Sequence, residues 1–294
     1  MRDRWNRRGV VTANWVPLSH GQEALWFLAK LVPRTWAYNI VLPAGVRGPL
    51  DVAAFRTALQ QLSARHPVLR TEFREEGGKP LQRAAGGPLP LDIIDVSNWT
   101  SERLSEAIRA EAQTPFELET DAALRTTLFR KSPDQHVLVM VVHHIVSDLW
   151  SLIVLMDELR QLYAAAKHGI VCNLPPLQLD YAQYVAQQRA ALQSDDGERL
   201  WNYWREELAG ELPALDLPAD HLRPAMQSFR GGTVFHRIDA DLHRRFKQFA
   251  GKERVTPYMA LLAAYEILLR RFTNQESFVV GSPTSGRERA ELQG

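Results

Sequence analysis

A mixed α/β chain arranged as two lobes is the fold class that this sequence predicts, and three observations carry it. Segments of period 2 alternate with segments of period 3.6 along the chain. The two halves mix strands and helices in a similar way. The length of 294 residues suits one large domain or two ordinary ones, and 45% apolar with 23% charged residues is the balance of a soluble globular protein. The boundaries expected are a basic leader over 1–14, with Arg2, Arg4, Arg7 and Arg8, a first lobe over 15–180 and a second over 181–294.

In the first lobe, Ser19 offers an N-cap, and Ala24, Leu25, Leu28 and Leu31 recur at helical spacing up to Pro33. A short strand is expected at Tyr38–Leu42. Asp51 caps a second helix through Ala64, with Phe55, Leu59 and Leu62 on one face. Leu69–Arg74 alternates as a strand, Gly77-Gly78 turns, Leu91–Val96 reads as extended and Ser101–Gln113 as helical. Leu124–Arg130 and His136–Val142 are strands joined by the hairpin loop Lys131–Gln135. The second strand runs through His143-His144 and a short turn into a helix at Trp150–Lys167, with Gly169 suited to the position just past its end.

The second lobe follows a Pro-containing connection over 170–180. Helices are expected at Tyr181–Gln193 and Gly197–Leu208, then a loop with Pro213, Pro218 and Pro224, and a strand at Thr233–Ile238. Two helical patterns, Ala240–Gly251 and Pro257–Arg271, precede a strand at Phe278–Val280 and a tight turn that presents Arg287. No closing element is read in Glu288–Gly294, so the chain is expected to stop within the architecture of its second lobe.

Composition excludes several classes. Thirty-five Lys and Arg against 34 Asp and Glu give a net charge of +1, without the basic excess of a nucleic-acid binder. A single cysteine, Cys172, excludes a disulfide within these residues and any Cys-based zinc or iron–sulfur site, and suits a reducing compartment. The strongest apolar stretches, Val137–Val142 and Leu149–Met156, fall short of the roughly 20 residues that span a bilayer. No apolar segment follows the basic start as in a signal peptide. A cytoplasmic protein with neither membrane nor nucleic-acid partner is expected.

The chemistry-bearing pattern is His143, His144 and Asp148. Side chains alternate across a strand, so adjacent histidines face opposite ways and do not share a metal; one can meet a cleft while the other packs beneath. Ser147 or Asp148 can cap the helix that follows, and an imidazole beside a positive helix end is favoured in the neutral form that accepts a proton. Read from the residues alone, two structural histidines and an ordinary N-cap remain an open alternative. The segment Gly281–Arg287 follows a strand as a phosphate loop would, but Arg287 and Glu288 stand where Lys and a hydroxyl residue are needed, so that reading is rejected. No nucleophile elbow, zinc helix or dinucleotide fingerprint is present. Cys172 carries no nucleophile signature, and Leu200, Trp201, Trp204 and Leu208 read as a packing stripe.

Five segments, in order, resemble the condensation domains of nonribosomal peptide synthetases, members of the chloramphenicol-acetyltransferase-like acyltransferases. Leu18-Ser19-His20-Gly21-Gln22-Glu23-Ala24-Leu25-Trp26-Phe27-Leu28 looks like the opening motif, and Arg65-His66-Pro67-Val68-Leu69-Arg70-Thr71-Glu72-Phe73 like the second, with Pro67 where Glu is frequent. Val142-His143-His144-Ile145-Val146-Ser147-Asp148 looks like the HHxxxD motif, Tyr181–Gln188 like the fourth, and Val280–Arg287 like the stretch before the fifth. Leu149 stands where Gly usually follows the motif Asp, a departure that bears on subtype. The family's later motifs, floor and latch have no counterpart in these residues.

The resemblance implies a chloramphenicol-acetyltransferase-like two-lobe fold, with the first lobe whole and the second partial. It implies amide formation between a donor acyl or peptidyl thioester and the amine of an acceptor aminoacyl thioester. Both reactants would arrive on phosphopantetheine arms of upstream and downstream carrier proteins, with no cofactor or metal bound directly and an adenylation domain as neighbour. His144 is then the functional histidine, His143 supports it, and Asp148 fixes the turn by pairing with an arginine, first Arg287 and second Arg65. Trp150, Ser151, Ser285 and Gly286 are expected along the substrate tunnel. A stand-alone coenzyme A-dependent acyltransferase, a non-catalytic carrier-binding module and an epimerase-type relative stay open. A heterocyclisation domain is disfavoured, because that subgroup replaces both motif histidines.

Overall fold

The computed structural model describes residues 14–84, 87–222, 224, 227, 229, 231–284, 286–287 and 289–292. Nearly all of the expected basic leader, and Ser285, lie outside the described residues. Among those described, one compact unit runs through Gly197 and takes in Gly286, Arg287 and 289–292, and a second runs from Glu198 to Thr284. The helix at Tyr181 therefore packs with the first unit, downstream of the lobe boundary expected at 180/181.

The first unit holds β1 (Val16–Pro17), α1 (His20–Leu31), β2 (Asn39–Arg47), α2 (Val52–Arg65), a 3-10 turn at Pro67–Arg70, β3 (Thr71–Glu76), β4 (Lys79–Ala84) and β5 (Asp92–Asp95). It continues with α3 (Ser101–Gln113), β6 (Leu124–Ser132), β7 (Gln135–His143), α4 (Leu149–His168) and α5 (Tyr181–Leu192). Four strands form a sheet in the order β2-β7-β6-β5, antiparallel except for the parallel β5–β6 pair. From Leu138 to His143 every side chain of β7 is buried, which explains an unbroken apolar run where a one-faced strand would alternate. β2 runs five residues past the expected end at Leu42. It is an edge strand, so the missing N–H of Pro43 costs no ladder bond on its outer side.

A smaller antiparallel sheet, β1-β4-β3, contains the two strands that sequence patterning missed, β1 and β4. Pro80 in β4 pairs with β3, whereas β1 meets β4 only at Leu81 and Gln82, so Pro80 has no second neighbour that requires its N–H. The core of this unit joins both sheets to the helices through Leu59 and Leu62 of α2, Phe73 of β3, Leu124 and Leu128 of β6, Met140 of β7 and Leu155 and Leu159 of α4. α2 and α4 pack against each other. Ser19, Asp51 and Asp148 cap α1, α2 and α4, and Gly169 takes φ +64° at the end of α4, a left-handed turn that suits Gly.

α6 (Asp195–Glu207) follows α5, and the second unit carries α7 (Ala240–Lys252) and α8 (Pro257–Thr273). The strands expected at Thr233–Ile238 and Phe278–Val280 do not form among the described residues. A strand is completed by hydrogen bonds to a neighbour, and neither segment pairs with one among the described residues. The stripe read as packing is exposed, with Trp201 at 66% and Trp204 at 56%. No helix of the described residues is long and apolar enough to cross a membrane.

Candidate active site

β7 delivers the paired histidines because flanking chain holds its end on both sides. The His143 amide donates to the Ala123 carbonyl at 2.8 Å and the His144 amide to the Tyr38 carbonyl at 2.9 Å. Strand alternation then turns the rings apart: His143 is 3% exposed, whereas His144 is exposed.

His143 packs against the ring of Phe116 edge-on at 5.9 Å and lies 6.4 Å from that of Tyr38. Its Nδ1 accepts a hydrogen bond from the Ile145 amide at 3.1 Å, which requires an unprotonated Nδ1. Burial, with smaller contributions from His144 and Arg125, brings its pKa down to about 4. The ring is thus neutral across the physiological range and serves as an internal acceptor for the turn.

His144 donates from Nδ1 to the Ser147 carbonyl at 2.8 Å. A carbonyl can only accept, so the proton sits on Nδ1 and, in the neutral ring, the remaining lone pair sits on Nε2. This bond closes the turn Ile145–Ser147 on itself and leaves Nε2 as the ring nitrogen not engaged by it.

Asp148 caps α4. Its Oδ1 accepts from the Ser151 amide at 2.7 Å, the Ser151 hydroxyl at 2.6 Å and Arg287 Nη2 at 3.2 Å. Burial opposes its ionisation, but the two Ser151 bonds and then the Arg287 charge and bond outweigh it and hold the carboxyl below its usual range. The same Nη2 reaches the Ser151 oxygen at 2.8 Å, and Nη1 donates to the Leu292 carbonyl at 2.9 Å. Of the two arginines expected for Asp148, Arg287 is therefore the one in contact. Arg65 is engaged elsewhere: its Nε lies 2.9 and 3.0 Å from the carboxylate oxygens of Glu158, and Nη2 donates to the Pro175 carbonyl at 2.6 Å. His66 Nε2 meets the same carboxylate at 2.6 Å.

Of the expected tunnel residues, Ser151 bridges Asp148 and Arg287, Trp150 is 44% exposed, and Gly286 is exposed at φ +63°. A cavity of about 240 Å³ lies against Asp148, Ser151, Tyr181, Gly286 and Arg287, behind the turn; His144 does not line it.

Sequence reasoning missed two supports. Glu158 is a carboxylate on the buried stripe of α4, among Leu155, Leu159 and Leu162; a charge within an apolar stripe is the signal that marks it. Gln22 completes the capping box of α1 and donates from Nε2 to the Ile145 carbonyl at 3.1 Å. The opening and fourth motif-like segments also grip each other. Ser19 Oγ and Tyr181 Oη share a hydrogen bond of 2.9 Å, the His20 amide donates to Gln188 at 3.1 Å, and Arg189 Nη2 donates to the Leu18 carbonyl at 2.9 Å and pairs with Glu23.

The fold is chloramphenicol-acetyltransferase-like, as the resemblance implied and as the structural neighbours below share, and in it a strand ends in two histidines facing opposite ways ahead of an Asp-capped helix. Comparison with known proteins narrows it: the family model for the Condensation domain matches residues 12–294, and the chain belongs to that family. It is 37% identical over 296 residues to chondramide synthase cmdD of Chondromyces crocatus, covering 98% of this chain and 7% of that protein. It is 37% identical over 283 residues to phosphinothricin tripeptide synthetase PhsB of Streptomyces viridochromogenes, covering 95% of this chain and 24% of that one. The chain thus spans a quarter or less of the length of either relative. The X-domain from teicoplanin biosynthesis superposes with a TM-score of 0.78 at 31% identity, over 90% of this chain and 59% of that one. The first condensation domain of the calcium-dependent antibiotic synthetase shares the fold, with a TM-score of 0.74 at 23% identity over 96% of this chain and 67% of that one.

Proposed function

We propose that this chain forms amide bonds in nonribosomal peptide or hybrid polyketide–peptide assembly. A donor acyl or peptidyl thioester is attacked by the amine of an acceptor aminoacyl thioester, each carried on the phosphopantetheine arm of a carrier protein. The observation that carries the reading is the exposed His144 side chain, tied through Nδ1–H to the Ser147 carbonyl so that the lone pair of the neutral ring is on Nε2. The amine nitrogen bonds to the thioester carbon, the carbon–sulfur bond breaks, and the amine proton leaves through His144 Nε2 to end on the departing sulfur.

Magnitudes say which effect dominates. An α-amine of pKa about 7.7–8.0 is free base in roughly a tenth to a fifth of molecules at pH 7, a shortfall of only about 1–1.4 kcal/mol. Holding both arms in near-attack geometry contributes about 7–11 kcal/mol, and a positioned base about 10²–10⁴-fold. His144 therefore orients the amine and takes its proton as the bond forms, while Asp148, Arg287 and Ser151 keep the turn in register. Carrier proteins upstream and downstream, an adjacent adenylation domain and a cytoplasmic setting complete the reading.

The test is amide formation by the full-length parent with both carriers loaded. His144→Ala is expected to lower the rate by about 10²-fold or more while carrier docking persists; unchanged turnover removes His144 from the mechanism. A second reading, a module that recruits a partner without catalysis, draws on the similarity to the X-domain solved in complex with OxyB, at 32% identity and a TM-score of 0.76. Carrier binding without amide product in the wild type would establish that reading, and saturable coenzyme A binding with acyl transfer to a free acceptor would establish the stand-alone acyltransferase.

A further inference from the structure

We infer that Gln22, on the buried side of α1, is a positioning residue for the His144 imidazole and acts through the carbonyl of Ile145; this rests on the role proposed for His144. Gln22 is 2% exposed, and its side-chain amide is fully used. Nε2 donates to the Ile145 carbonyl at 3.1 Å and to Gln82 Oε1 at 3.0 Å, while Oε1 accepts from Gln82 Nε2 at 2.8 Å and from the Ser19 amide at 3.0 Å. Two donors and two acceptors are the whole capacity of a primary amide.

Ile145 is the residue after His144, and it is held from both sides. Its amide donates to His143 Nδ1 at 3.1 Å and its carbonyl accepts from Gln22. The turn then closes where His144 Nδ1 meets the Ser147 carbonyl. Gln82 also donates to the Pro17 carbonyl at 3.1 Å, so the Gln22–Gln82 pair ties the turn to the smaller sheet. A shift of Ile145 would carry the His144 ring with it.

The residue type separates this role from ordinary capping. A capping box is served equally by Glu or Gln, because only an acceptor for the N-cap amide is needed. The bond to Ile145 needs an N–H, which the amide has and a carboxylate lacks. Gln22→Glu therefore keeps the cap and removes the donor, and Gln22→Met removes both.

The experiment measures kcat and the acceptor-carrier KM for amide formation in the full-length parent. Wild type, Gln22→Glu, Gln22→Met, His144→Ala and Val96→Ala are compared. Val96 is 1% exposed just past the far edge strand β5, so its truncation lowers stability without touching the turn. Both Gln22 variants are expected to lose about 10–100-fold in kcat, the scale of a misplacement near 1 Å, with KM held within about twofold. Val96→Ala melts earlier and keeps its kcat. Wild-type kcat in Gln22→Glu, or a kcat loss shared by Val96→Ala, overturns the inference; Gln22→Glu alone decides it if Gln22→Met does not fold. Equal turnover in wild type and His144→Ala overturns instead the role of His144.

Discussion

Two arginine–carboxylate clusters pin α4, and they differ in their surroundings. At the start of the helix, Asp148 is 37% exposed and faces Arg287 and Ser151. Ten residues on, Glu158 is 10% exposed and lies between Arg65 and His66 from the end of α2. The outer cluster sets the turn that carries His144. The inner one joins two packed helices. The family motifs contain both arginines, yet only Arg287 stands beside the motif carboxylate, because α2 brings Arg65 to the middle of α4 rather than to its tip.

The contrast breaks most visibly at Glu158. Glu158→Ala leaves the Arg65 and His66 groups without their buried partner, and a loss of about 3–5 kcal/mol in unfolding free energy is expected from denaturant titration. A loss below about 1 kcal/mol would reduce the inner cluster to the worth of an exposed pair. Acid probes the other side of the turn. The unfolded chain protonates His143 near its ordinary pKa of 6.5, but the folded chain resists until about 4. Stability due to this group therefore falls as the pH drops from 6.5 to 4, by about 3 kcal/mol, and is unaffected above 6.5. Thermal melts across that range should show the slope, and His143→Phe should flatten it.

The smallest effect on stability is expected at the outer cluster. Asp148→Ala removes an N-cap and one partner of Arg287, for about 0.5–2 kcal/mol. Its carboxyl is held below its usual range, so its contribution is present at neutral pH and is lost only as the pH falls through that depressed pKa. Melting temperature and turnover are expected to fall together. A soluble variant with an unchanged melt and no amide formation would instead give Asp148 a direct part in the reaction.

Much of this organisation is legible in the residues. Two short strand-length segments and the turn-rich loop between them mark the β6–β7 hairpin to within a few residues, and Ser19, Asp51 and Gly169 announce their caps. β4 escaped because Lys79-Pro80-Leu81-Gln82-Arg83-Ala84 is polar and contains a proline, and only its neighbours make it a strand. Thr233–Ile238 has the composition of a strand but no ladder among the described residues. Gln22 escaped because its bond crosses to Ile145, 123 residues away, a partner that no local pattern names.

By itself the sequence determined the local grammar: where helices begin, which strand ends in His143 and His144, and that the two rings face opposite ways. Those features depend on dihedral preferences and side-chain spacing within a few residues. Tertiary structure alone decided which arginine meets Asp148, which polar side chain grips the turn and which histidine is buried. Such pairings join residues far apart in the chain, and the packing of helices and sheets chooses among partners that local pattern leaves equivalent.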